Sequence, residues 1–280
     1  MATDSISMVR NHIEEAQSSL AKAKEILPND ATINLIRKCT IDSTTFEEVE
    51  TDQIPYVVIM LATEDCPFSN KGKKRYETHK IIRIAQGTSI QTVQDKLKGK
   101  QLGSYTVAFR DSESPKNHSE EAGLRECVNF DKTTQKTHWV FMYTGDAPDK
   151  TDYIYNQVQA RDNAETSADD KINFRVHEIR TQLHLNYPGY RLPNAQELLI
   201  SIASAIKNDK FESFKKGLLT NDLVATGKRI DDANTSPLLV GSVQPESEGS
   251  STLTIYDGNP AGKGKSDHYV MPVMHAYAKL

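Results

Sequence analysis

Cysteine is scarce and scattered: Cys39, Cys66 and Cys127 are the only three, far apart, and none belongs to a CxxC pair. Such a set excludes a disulfide framework or a structural zinc site and points to a reducing compartment. Long apolar runs are missing as well. The longest, 56–62 (YVVIMLA), is far short of the roughly 20 residues that cross a bilayer, so no membrane span is expected. The opening residues, 1–5, offer neither a basic n-region nor an apolar h-region, and a Sec-type leader is not expected. An excess of one charge sign is absent: 34 Lys and Arg stand against 38 Asp and Glu, a net charge of −4. That balance argues against a general nucleic-acid binder, which needs phosphate-neutralising lysine and arginine. HExxH, an EF-hand loop, a Walker loop and a dinucleotide glycine signature are all missing, and His177 and His184 stand seven apart with no cysteine nearby. No metal and no cofactor is expected.

What remains is a 280-residue chain, 37% apolar, with mean hydropathy −0.57. It is long enough for one large domain or two small ones. Positions Ile6, Val9, Ile13, Ala16, Leu20, Ala23 and Leu27 recur at helical spacing, and Pro28-Asn29-Asp30 ends the pattern. Asp30 is placed to cap a second helix through Ile33, Leu35 and Ile36. Residues 1–50 thus read as a helical hairpin. From Ile54 the pattern changes, and strands are expected at 56–62, 80–85, 103–110, 124–131, 137–143 and 153–158. A helix capped by Thr88 or Ser89 carries Ile90, Val93 and Leu97. Residues 160–170 (ARDNAETSADD) read as an exposed insertion, and Asn194 caps a helix with Leu198, Leu199, Ile202 and Ile206 on one face. A further helix is expected at 209–219, then strands at 238–243, 252–256 and 268–273.

Three segments carry a resemblance. TVQDKLKGKQLGSYTVAFRDSES, KTHWVFM and NAQELLISIASAI are similar, in order, to the first helix and central strand, the histidine strand and the second helix of SH2 domains. The likeness spans roughly residues 76–207 and implies an α+β fold in which a central antiparallel sheet is flanked by two helices. The SH2-like domain would cover 54–207, with an insertion at about 145–190. The resemblance implies that Arg110 grips phosphotyrosine, that Ser112 and Ser114 line the phosphate loop, that His138 flanks the ring and that Trp139 faces the following peptide residues. The chemistry is coherent. A phosphate offers three strong acceptor oxygens, and a planar guanidinium gives two parallel bonds where lysine gives a point charge. The second arginine common near the start of the family's first helix is replaced here by Thr88-Ser89-Ile90, and the usual early tryptophan is missing.

The tail, 208–280, resembles a partial or degenerate second SH2-like module: His268 lies 130 positions after His138, and Gly241 lies 131 after Arg110. By resemblance the protein is a non-enzymatic signalling module that binds tyrosine-phosphorylated proteins in the cytoplasm. Loosely patterned SH2 domains of this kind occur in effectors that intracellular bacteria deliver into host cells, in which case the host cytosol is its compartment. The competing reading is a cysteine hydrolase with Cys66 as nucleophile, His268 as base and Asp257 or Asn259 orienting the imidazole.

Overall fold

The computed structural model describes residues 28–69, 72–109, 124, 127–144, 179–181, 183–215, 217–225, 235–258 and 271–276. The expected helix at 5–27, the expected strand at 153–158 and the charged segment 160–170 lie outside these residues.

The first described helix, α1 (Asp30–Lys38), begins one residue earlier than expected: Asn29, not Asp30, caps it by accepting from Thr32 N at 2.9 Å. Asp30 then sits in the first turn, where the helix dipole favours an acid. β1 (Thr40–Asp42) follows, and a 3₁₀ turn (Thr51–Gln53) leads to α2 (Tyr56–Thr63). This last element corrects an expected strand. The run YVVIMLA is β-branched and apolar, but Pro55 precedes it, and the Pro55 carbonyl accepts from Val58 N and Ile59 N at 2.9 and 3.2 Å. Short apolar runs do not distinguish a strand from a buried helix. Next come α3 (Arg75–Thr78), β2 (His79–Ile84), α4 (Ile90–Leu97), β3 (Gln101–Leu102), β4 (Tyr105–Phe109), β5 (His138–Tyr143), β6 (Tyr190–Arg191) and α5 (Ala195–Lys207). Ser89 caps α4 as the sequence implies.

Two other expectations are overturned. Residues 127–132 turn rather than extend: Cys127 N bonds Leu124 O, Phe130 N bonds Cys127 O and Lys132 N bonds Asn129 O, each at 3.0–3.1 Å. Residues 209–219 are not a helix. Asp209 adopts φ +53°, and Lys210 N reaches back to Ala205 O at 2.8 Å, closing α5 in a Schellman-type stop. A 3₁₀ turn (Glu212–Phe214) and β7 (Gly217–Ala225) follow, then β8 (Thr235–Pro245), β9 (Thr252–Gly258) and β10 (Val273–Ala276).

The fold is α+β, but the expected single antiparallel sheet is replaced by two mixed five-stranded sheets. The first has the order β1-β2-β5-β10-β6, with β1 parallel to β2 and the other pairs antiparallel. The second has the order β3-β4-β9-β8-β7, with β4 parallel to β9. The arginine-side strand β4 and the histidine strand β5 therefore belong to different sheets. The tail is no separate module either, since β7, β8 and β9 complete one sheet while β10 enters the other between β5 and β6. Of the expected hairpin segment, 1–50, residues 40–42 form β1 and pair with β2. Of the expected insertion, 179–190 includes Ile179, Leu183 and Tyr190, all buried in the core.

α5 lies between the sheets, with every residue but Lys207 buried. Its apolar side chains meet Ile82, Ile84, Val140, Met142 and Val273 of the first sheet and Val107, Val240, Leu253 and Ile255 of the second. The opposite face of the first sheet carries Ile81, Trp139, Phe141, Tyr190 and Met274 against Ile36 of α1 and Val58, Ile59 and Ala62 of α2. β5 thus alternates between two buried faces.

Candidate ligand-binding site at the N-terminal end of α5

Strand direction decides which ends of the two sheets come together. Asn221 N of β7 bonds Pro193 O at 2.7 Å, and Asp222 Oδ2 accepts from Ala195 N at 2.6 Å, so mid-β7 abuts the start of α5. β4 runs the same way as β7, since it is parallel to β9 and β8 opposes both β9 and β7. It starts at the other end of α5, where Tyr105 Oη donates to Asp209 Oδ1 at 3.3 Å. β4 therefore ends, at Phe109, toward the N-terminus of α5. Arg110, Ser112 and Ser114 follow but lie outside the described residues.

On the facing sheet, His138, His275 and Arg191 share the α5 side of their strands, in register with Ile84, Val140 and Val273 respectively. Arg191, and through it His275, is anchored by Glu197, in the first turn of α5, with a fully buried side chain. Its carboxylate accepts from Asn194 N at 2.8 Å, closing a capping box, and takes both arms of Arg191 at 2.6 and 3.0 Å. The remaining Arg191 donors go to Leu192 O at 2.8 Å and, from Nη2 and Nε, to His275 Nε2 at 2.8 and 3.2 Å. All five guanidinium N–H groups are engaged within the protein, so Arg191 is a structural cation and not the missing second phosphate arginine.

These contacts set protonation. Burial, then the Arg191 charge, push His275 down to about 4, with Glu197 opposing and His138 adding to the depression. A neutral His275 offers the Nε2 lone pair that Arg191 requires. His138 lies half-buried beside it, ring centroids 5.2 Å apart, with Nδ1 3.1 Å from Lys136 O. Asp222, the second carboxylate at the helix start, is pushed up by burial, opposed by the Ala195 N–H and the Asn129 side chain.

Trp139 is not a peptide contact. It is 8% exposed and faces the α1–α2 layer, because neighbours on a strand point to opposite sides. Cys66 is 4% exposed, and its backbone N–H is spent on Lys73 O at 2.8 Å, in a stretch that opens no helix. His268 and Asn259 lie outside the described residues, and Asp257 is in β9. A second polar centre lies nearer that cysteine: His79 Nε2 pairs with the Tyr190 hydroxyl at 3.0 Å, Arg75 Nε donates to the same hydroxyl at 3.3 Å, and Phe68 packs on Tyr143, Tyr187 and Tyr190. His79 is 2% exposed and burial pushes it down to about 3, which makes it a neutral core residue.

Reading the sequence alone passes over Arg191, Glu197 and His275. The capping-box spacing Asn194-x-x-Glu197 is visible in it, but the arginine that the glutamate holds comes from β6, and the histidine from β10. Among the described residues no group of three or more His, Cys, Asp or Glu is arranged to hold a metal, and no helix is long and apolar enough to cross a membrane. Comparison of the chain with protein-family models, curated proteins and solved structures finds no match.

Proposed function

We propose that this chain is a binding protein for tyrosine-phosphorylated partners, with Arg110 as the phosphate-gripping residue, Ser112 and Ser114 contributing hydroxyls, and His138 flanking the ligand. The observation that supports this reading is the shared end of the two sheets: β4 finishes one residue before Arg110 at the end of α5 where His138 stands half-exposed. The two contacts would then come from opposite sheets rather than from adjacent strands of one. A guanidinium at a strand end beside serine hydroxyls suits a dianionic phosphate. The phosphorylated partners are met in a cytosol, that of a host if the protein is a bacterial effector. A hydrolase built on Cys66 has no comparable support, because the thiol is buried.

The test is binding of labelled phosphotyrosine peptides, with unphosphorylated peptides as control and Arg110→Ala alongside. Removing one side of a charge pair costs about 2–4 kcal/mol, so affinity should fall by at least about thirtyfold. A folded Arg110→Ala protein that binds unchanged would sink the assignment.

A further inference from the structure

α2 carries no charged residue, and apolar side chains occupy all its sides, the pattern of a helix covered all round. The first sheet and α1 cover one side of it. Val58, Ile59 and Ala62 are buried there, whereas Val57, Met60 and Leu61 are half-buried. Tyr56, one turn before Met60 on the same face, is 51% exposed. Four large apolar side chains stand exposed among the described residues, and two of them, Tyr56 and Leu35, belong to the α1–α2 layer.

The chain holds a complementary face close by. The sequence of 5–27 predicts a helix with an apolar stripe that includes Ile13, Leu20 and Leu27, while Glu14, Glu15, Lys22 and Glu25 fall on the other side. Such a stripe needs a partner, because packing of the amphipathic face supplies most of a helix's stability. Only Pro28 and Asn29 separate the segment from α1, and Asn29 is already fixed as the cap of α1. A connection that short sets consecutive helices side by side and antiparallel. Residues 5–27 as a helix would span about 35 Å, against about 14 Å for α1, and so reach past α1 onto its neighbour α2.

We propose that residues 5–27 dock their apolar stripe on the outer face of α2, around Tyr56 and Met60, as a third helix of the layer that covers the first sheet. Removal of both apolar faces from water drives the docking. It also gives the uncharged sequence of α2 its reason, since the helix is then enclosed on every side.

The experiment follows amide hydrogen exchange by mass spectrometry in the full chain at several protein concentrations, for the native protein, Tyr56→Glu and Met60→Glu. Val128→Glu is the control, because Val128 is 62% exposed beside the other core cluster, next to Cys127. An acid at position 56 falls in the first turn of α2, where the helix dipole favours it, so Tyr56→Glu leaves α2 itself intact. In the native protein the amides of 5–27 should exchange slowly at every concentration. Each layer variant should speed that exchange at least about tenfold while α5 and β5 keep their protection, and Val128→Glu should not. Fast exchange of 5–27 in the native protein would overturn the proposal. So would protection that survives both variants, which means that the segment packs elsewhere. Protection that grows with concentration would assign the face to a second copy of the chain and overturn it as well.

Discussion

At the scale of single residues, the buried histidines make stability depend on pH. His79 titrates near 6.5 in an unfolded chain but near 3 in the fold, first because burial disfavours its charged form and then because the Arg75 charge lies close. Between these values the unfolded state binds more protons, so stability is present above about pH 6.5 and is lost as pH falls toward 3. At pH 5 that one ring costs about 2 kcal/mol relative to neutral pH. His275 acts in the same direction with its lowered value of about 4. In His79→Gln, whose amide can still meet the Tyr190 hydroxyl, the loss of urea midpoint between pH 7.5 and 5 should be smaller than in the native protein. An equal loss in both would show that His79 is not kept neutral. The Arg191–Glu197 pair belongs to the same scale, since removing either partner would leave the other charge half-buried or buried without a counterion.

At the scale of elements, α5 organises its neighbours through both ends. Its start is held by Asn194, Glu197 and Asp222. Its finish receives the β3–β4 turn, where Gly103 has φ +59° and a Cβ would stand 2.9 Å from the Lys207 carbonyl oxygen. Both the left-handed backbone and the contact with a backbone atom require glycine there. The Tyr105 ring, packed edge-on against Phe211 at 5.4 Å, pins the same junction. Gly103→Ala should cost about 1–3 kcal/mol in chemical denaturation, from backbone strain and displacement of the turn. A variant as stable as the native protein would mean that the turn is not seated against the helix. α4 and α5 were both legible in the sequence because a cap precedes a regular apolar stripe in each. α2 was not, because three β-branched residues in a short apolar run carry the local signal of a strand, and the helix that Pro55 opens is selected by packing against α1 and the first sheet.

For the whole molecule, the late strands are distributed between both sheets. β10 lies between β5 and β6, and three of the five strands of the second sheet come after residue 216. Pairs such as Trp139 with Ala276 and Phe109 with Ile255 join segments far apart in the chain. Ending the chain at residue 216 should therefore abolish cooperative unfolding and dispersed amide resonances, because it exposes both faces that enclose α5. A folded, cooperatively melting 1–216 protein would instead support the division into modules that the spacing of His138 and His268 implies.

The sequence by itself determined the α+β class, the caps and faces of α4 and α5, and the extended character of β2, β4, β5 and β9. These follow from local periodicity and local hydrogen bonding, which act within a few residues. It also placed His138 at the start of its strand. Tertiary structure alone decided that β4 and β5 enter different sheets, that the tail completes both, and that Trp139 faces inward. It likewise decided that Arg191 is committed to Glu197 and His275 rather than to a ligand. Strand pairing and ion pairing are made between segments up to more than a hundred residues apart, and no spacing within one segment encodes its partner. What selects those partners is the burial of both faces of β5 together with the demand that each buried charge and each helix end be satisfied.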